Sequence, residues 1–129
     1  MRGYTRHKGS RTGEFSARAV GFEKEAAAAK YLKERGYEIL VRNFCSRNGE
    51  IDIIAKEGGT LVFAEVKYRK SSDYGMPQEA VDRRKIGRIV RTARYYLLKE
   101  GLPEDTPCRF DVVMILGGEI SVIQNAFDA

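Results

Sequence analysis

Two apolar, β-prone runs meet at a pair of glycines, and that junction limits the fold more than any other stretch. Ile51–Ala55 and Leu61–Val66 flank Glu57-Gly58-Gly59-Thr60, a pattern that predicts a tight antiparallel hairpin. A two-residue turn sets the register: Glu57 opposite Thr60, Ala55 opposite Val62, Asp52 opposite Glu65, and Glu50 opposite Lys67. Opposed residues project to one side of a sheet with Cβ atoms roughly 4.5–5.5 Å apart. Three carboxylates and a lysine therefore converge on one patch.

Asp52 and Glu65 are the informative pair. Each interrupts an apolar run where an acid is a poor strand former, and like charges directly opposed destabilise a sheet. A divalent cation, Mg²⁺ or Mn²⁺, resolves both problems, because such an ion accepts carboxylate oxygens and retains waters for a phosphate substrate. It also acidifies a water for attack. Lys67 beside the pair is a candidate to orient that nucleophile or to neutralise charge on the phosphate. An ordinary Glu50–Lys67 salt bridge on a surface strand pair is the alternative. A further acid comes from the first predicted helix, 21–36. At about 100° per residue, Glu25 falls inside the arc of Phe22, Ala28, Ala29 and Leu32, where a carboxylate is costly unless it is paired, hydrogen-bonded or near a metal.

The remaining elements follow from periodicity and punctuation. Gly36 ends the first helix, and residues 37–44 read as a strand leading to the central hairpin. Residues 69–77 are loop-like, 78–100 helical, and 109–116 with 119–124 form a second hairpin about Gly117-Gly118. The order α-β-β-β-α-β-β predicts helices packed on a mixed sheet in one domain over 21–129.

Charge is unevenly spread. Of a net +5, most lies in residues 1–20, where Arg2, Arg6, Lys8, Arg11 and Arg18 face only Glu14. That segment reads as a flexible basic arm, either a phosphate attractor or a tail with no partner. Within the body, Ile86, Ile89, Val90, Ala93 and Leu97 fall on one helical face and Arg84, Arg88, Arg91 and Tyr95 opposite, a basic stripe suited to a phosphate backbone. The single His7 and two cysteines, Cys45 and Cys108, argue against zinc sites, a histidine triad and a disulfide framework. No apolar run approaches the ~20 residues of a membrane helix, and no signal-peptide core is visible, so a cytoplasmic protein without membrane contact is expected.

The residues form an ordered set: Glu25-x-x-Ala28-x-x-Tyr31-Leu32, Arg42-Asn43, Gly49-Glu50-Ile51-Asp52, Phe63-Ala64-Glu65-Val66-Lys67, Tyr74-Gly75, Lys85, Arg109-Phe110-Asp111 and Asn125-Ala126-Phe127. Over about residues 21–127 the set resembles the YraN-like family of small bacterial proteins, within the restriction-endonuclease-like PD-(D/E)xK superfamily and related to Holliday-junction resolvases. The resemblance implies a three-layer α/β/α fold with a central mixed sheet. It also implies metal-binding acids at Asp52 and Glu65, a catalytic lysine at Lys67, and a helix-one acid at Glu25. Ile51 stands where the superfamily name has proline, and Lys24 where the family often has glycine.

The expected function is metal-dependent hydrolysis of DNA phosphodiesters, with branched or structured DNA among the candidate substrates. Asp52 and Glu65 would hold Mg²⁺ or Mn²⁺ with the Val66 carbonyl as a further ligand, while Glu25 assists and Lys67 positions the nucleophile. Arg69, Lys70, Arg84, Lys85, Arg88 and Arg91 would hold the phosphate backbone, and Glu50 and Gln78 support the site. A homodimer is expected only by analogy with enzymes that cut two strands; core packing accounts better for the apolar runs Phe110–Val112 and Ile120–Val122. The alternatives are a non-catalytic nucleic-acid-binding module on the same fold and a protein–protein adaptor.

Overall fold

A computed structural model describes residues 12–70 and 83–128, with side chains from position 21 onward except Phe22. Helix α1 spans Thr12–Glu34, followed by strands β1 Glu38–Ser46, β2 Gly49–Glu57 and β3 Thr60–Arg69. Helix α2 spans Arg83–Lys99, and strands β4 Cys108–Leu116 and β5 Glu119–Phe127 complete the chain. The strands form one sheet in the order β1-β2-β3-β4-β5. The β3–β4 pair is parallel and the other pairs antiparallel. α2 is the crossover that a parallel pair requires.

The helices lie on opposite faces. Ala28, Ala29 and Leu32 of α1 pack with Ile53, Ala55, Val62, Ala64 and Val113. Ile89, Val90, Ala93 and Leu97 of α2 pack with Phe44, Ile54, Phe63, Phe110 and Val112. The result is a three-layer α/β/α arrangement, and the apolar face expected on the second helix is the one it buries. Phe110 and Val112 belong to this core on a central strand, while Ile120 and Val122 of edge strand β5 pack against the α1-side core.

The first helix starts earlier than expected. α1 begins at Thr12, so the boundary drawn at position 21 falls inside a helix. Ala17, Arg18 and Ala19 are good helix formers, a local preference that the basic charge of the segment does not override. Residues 1–11 of the expected arm lie outside the described residues. So do Gln78, the pair Tyr74-Gly75 and the start of the second expected helix.

Gly58 takes φ 61° at the first central position of the β2–β3 turn, the conformation that tight hairpins favour and glycine allows. A second glycine is favoured by its backbone conformation rather than by crowding against α2. Gly49 has φ 146°, and a Cβ there would stand 3.5 Å from Thr92 Oγ1 and 3.6 Å from Arg88 Cβ.

A buried polar network ties the sheet together away from Asp52 and Glu65. Asp111 is 0% exposed and accepts hydrogen bonds from Tyr37 Oη at 2.9 Å, Arg109 Nε at 2.9 Å and Asn125 N at 2.9 Å. Arg109 Nη2 also reaches Glu57 Oε1 at 2.6 Å. The network joins β2, β4, β5 and the turn before β1, and its hydrogen bonds offset the cost of burying the carboxylate.

Candidate active site

The hairpin register holds from Glu57↔Thr60 to Ile53↔Ala64, where the β2–β3 ladder ends. Asp52↔Glu65 and Glu50↔Lys67 are therefore not ladder partners as expected. In place of a backbone bond, Asp52 Oδ2 accepts the Val66 N–H at 2.8 Å. A side-chain bridge stands where the next ladder bond would be. Val66 thus joins the site through its N–H.

Strand alternation breaks at the same step. Ile51 and Ile53 should share a face, yet Ile51 packs on the α2 side and Ile53 on the α1 side. Across on β1, Asn43 takes φ 59° between the pairs Arg42↔Ile53 and Phe44↔Ile51. Asparagine tolerates this left-handed conformation better than most residues. The chain thus reorients at Asp52 with Asn43 absorbing the change beside it.

Glu65 is 7% exposed. Alternation from Phe63 directs it, with Lys67, toward α2. There Glu65 Oε2 meets Lys85 Nζ at 2.5 Å and Lys67 Nζ at 3.4 Å. Burial holds the Asp52 carboxyl well above its ordinary pKa, helped by the Glu65 charge and more weakly by Glu25 and Glu50, while the Val66 N–H opposes the shift. Burial pulls Lys67 down, and the adjacent Lys85 pulls the same way. For Lys85, burial acts downward, but the hydrogen bond and charge of Glu65 outweigh it and the net direction is up.

Glu25 projects from α1 with Oε1 out of contact with solvent, and its charge is felt at Asp52. Lys24 beside it places its ammonium over the Tyr68 ring, 4.4 Å from the centroid. Glu50 is exposed, and its Oε1 accepts from Cys45 Sγ of β1 at 3.7 Å. Arg84, Arg88 and Arg91 are exposed along α2 as expected. Arg69 instead turns Nη1 onto the Tyr68 carbonyl at 2.9 Å, and Lys70 is exposed just past β3.

Lys85 stands apart from the other basic residues of α2, because it enters the acid cluster. Its signal was present in the sequence: on a helical projection it falls on the side of Thr92, which is buried, not with Arg84, Arg88 and Arg91. Asn43 carried no comparable signal, because its role depends on where the alternation breaks.

Among the described residues, no group of three or more His, Cys, Asp or Glu side chains is arranged to hold a metal ion. A magnesium-type site requires less: one or two carboxylates, with waters and substrate oxygens completing the shell. Asp52 and Glu65, whose charges oppose each other across the opened ladder, fit that smaller requirement.

Layered α/β architecture with a carboxylate–amine cluster at the open end of its central hairpin defines the class. The chain belongs to the uncharacterised protein family UPF0102, whose family model matches residues 24–115 and so covers Glu25, Asp52, Glu65, Lys67, Lys85 and Asp111. It is 59% identical over 109 residues to a UPF0102 protein of Lachnoclostridium phytofermentans, covering 84% of this chain and 92% of that one. A Persephonella marina UPF0102 protein is 47% identical over 84% of this chain and 92% of its own. One from Vibrio vulnificus is 44% identical over 88% of this chain and 96% of its own. No helix among the described residues is long and apolar enough to cross a membrane.

Proposed function

We propose that the protein is a cation-dependent phosphodiester hydrolase of the restriction-endonuclease-like type, acting on DNA, branched or structured DNA included. The observation that carries this reading is the meeting of Asp52, Glu65 and Lys67 where the β2–β3 ladder opens. Asp52 and Glu65 would hold Mg²⁺ or Mn²⁺, which when bound neutralises phosphate charge and acidifies water. Asp52 is kept in place by the Val66 N–H, which leaves its second oxygen for other partners. Lys67 Nζ sits on Glu65 with its pKa drawn down, closer to the form of an amine that orients a water and takes its proton. Glu25 adds negative charge from α1. Arg84, Arg88 and Arg91 offer a phosphate-holding surface that positions DNA without reading its sequence.

One observation favours a second reading, a non-catalytic nucleic-acid-binding module. Glu65 is already ion-paired with two lysines, so the cluster is electrostatically compensated without a cation. Linear, nicked and four-way-junction DNA incubated with Mg²⁺ or Mn²⁺ separates the two. Cleavage that is lost in Asp52→Asn and Lys67→Ala supports hydrolysis. Salt-sensitive binding that survives Lys67→Ala, with every substrate intact, supports the module.

A further inference from the structure

The basic stripe of α2 does not account for Lys85. Arg84, Arg88 and Arg91 face solvent, whereas Lys85 Nζ lies 2.5 Å from Glu65 Oε2. Lys67 Nζ is farther from that same oxygen, at 3.4 Å. Glu65 is buried, and a buried carboxylate needs a positive partner close by. A divalent cation held by Glu65 would need the same carboxylate, and a cation and an ammonium repel each other at such range. The Lys85 side chain is one-third exposed, at 34%, and lysine has a flexible stem with a strongly hydrated head, so it has somewhere to go. Arg84 and Arg88 present positive charge to solvent on the same first turns of α2.

We infer that Lys85 is a built-in competitor for the cation: its ammonium holds Glu65 when no ion is bound and yields Glu65 when one arrives, a role that rests on Asp52 and Glu65 being a cation site. Displaced, Lys85 joins the basic stripe as an additional partner for the phosphate backbone. Cation loading and DNA binding are thereby linked through one side chain. A merely structural ion pair would instead contribute to fold stability and leave cation affinity unchanged.

Calorimetric titration of the full chain with Mn²⁺ tests this, comparing the unaltered protein with Lys85→Met, Lys85→Arg and Arg91→Met. Lys85→Met should bind Mn²⁺ about tenfold more tightly, a difference easily read as a shift in dissociation constant. Lys85→Arg keeps the charge and should stay close to the unaltered protein. Arg91→Met, which removes an exposed charge from the same helix, should leave the Mn²⁺ dissociation constant where it is. Equal or weaker binding by Lys85→Met, or equal tightening by Arg91→Met, overturns the competitor role and leaves the cation site standing. Absence of Mn²⁺ binding in all four proteins overturns the site itself, and the competitor role with it.

Discussion

Asp52 accepts the Val66 N–H at 2.8 Å one residue beyond the last β2–β3 ladder pair, so a side chain takes over where the backbone lets go. The bond and the charge of Asp52 act in opposite directions. The bond satisfies a backbone donor, while the charge is set against Glu65, Glu25 and Glu50. Asp52→Asn keeps an acceptor oxygen and removes the charge, so without divalent ions it should stabilise the protein by about 1 kcal/mol. For a domain of this size that is a rise in Tm of roughly 3–6 °C. Asp52→Ala also loses the acceptor and should fall about 1–2 kcal/mol below Asp52→Asn. Thermal melts in a chelator check both, and a gain in stability with a loss of Mn²⁺ binding would mark a site maintained at the expense of the fold.

The same carboxyl sets a pH dependence. Asp52 has a raised pKa in the folded protein, so the fold retains its proton at pH values where the unfolded chain has released it. Proton uptake then favours the folded state, and stability falls as pH rises from the ordinary aspartate range through the raised value. Denaturant midpoints without divalent ions should decline across that window in the unaltered protein. Asp52→Asn should be flatter there, and added Mn²⁺ should offset the decline.

Gly58-Gly59 specifies the hairpin and its pairing as far as Ile53↔Ala64 because turn geometry is local. Beyond that pair, extrapolation fails at Asp52↔Glu65, where strand alternation breaks beside Asn43. The Glu65–Lys67 contact was still legible, because strand alternation alone puts both side chains on one face of β3. Lys85 was legible as a basic residue but not as a partner of Glu65, since that pairing depends on how α2 crosses the sheet. The helical projection turns Lys85 toward the buried side of α2, but nothing local names Glu65 as its partner. The start of α1 was misread in another way, with net charge outweighing helix propensity across Thr12–Val20.

Asn43 offers a backbone test of the same corner. Its φ of 59° is tolerated by asparagine, free for glycine and strained for alanine. Asn43→Ala should cost about 1–2 kcal/mol in urea denaturation. Asn43→Gly should lie nearer the unaltered protein, with Mn²⁺ affinity following the same order because the break in alternation places Asp52.

Asp111 belongs to stability rather than to chemistry. It accepts bonds from Tyr37, Arg109 and Asn125 while fully buried, so Asp111→Ala strands the Asn125 backbone donor and leaves Arg109 with Glu57 as its remaining carboxylate. Breaking a buried pair of this kind costs about 3–5 kcal/mol, a large share of what a small domain has. Tyr37→Phe removes one neutral hydroxyl, which donates to Asp111 and accepts from Arg109 and Gln124, and should cost nearer 1 kcal/mol. Urea midpoints should rank the variants in that order, while Tyr37→Phe leaves Mn²⁺ binding unchanged.

The exposed arginines of α2 should show the opposite behaviour. Arg84, Arg88 and Arg91 lie on the solvent side of a helix whose other face is buried, so replacing all three with Glu should leave Tm within a few degrees. If they hold phosphates, DNA affinity should fall at every sequence tested. The slope of log affinity against log salt should become shallower by about 0.9 for each duplex phosphate the variant no longer neutralises. Fluorescence anisotropy over a salt series measures that slope directly. An unchanged slope would remove the helix from the DNA interface while leaving the acid cluster to be judged by its own cation titration.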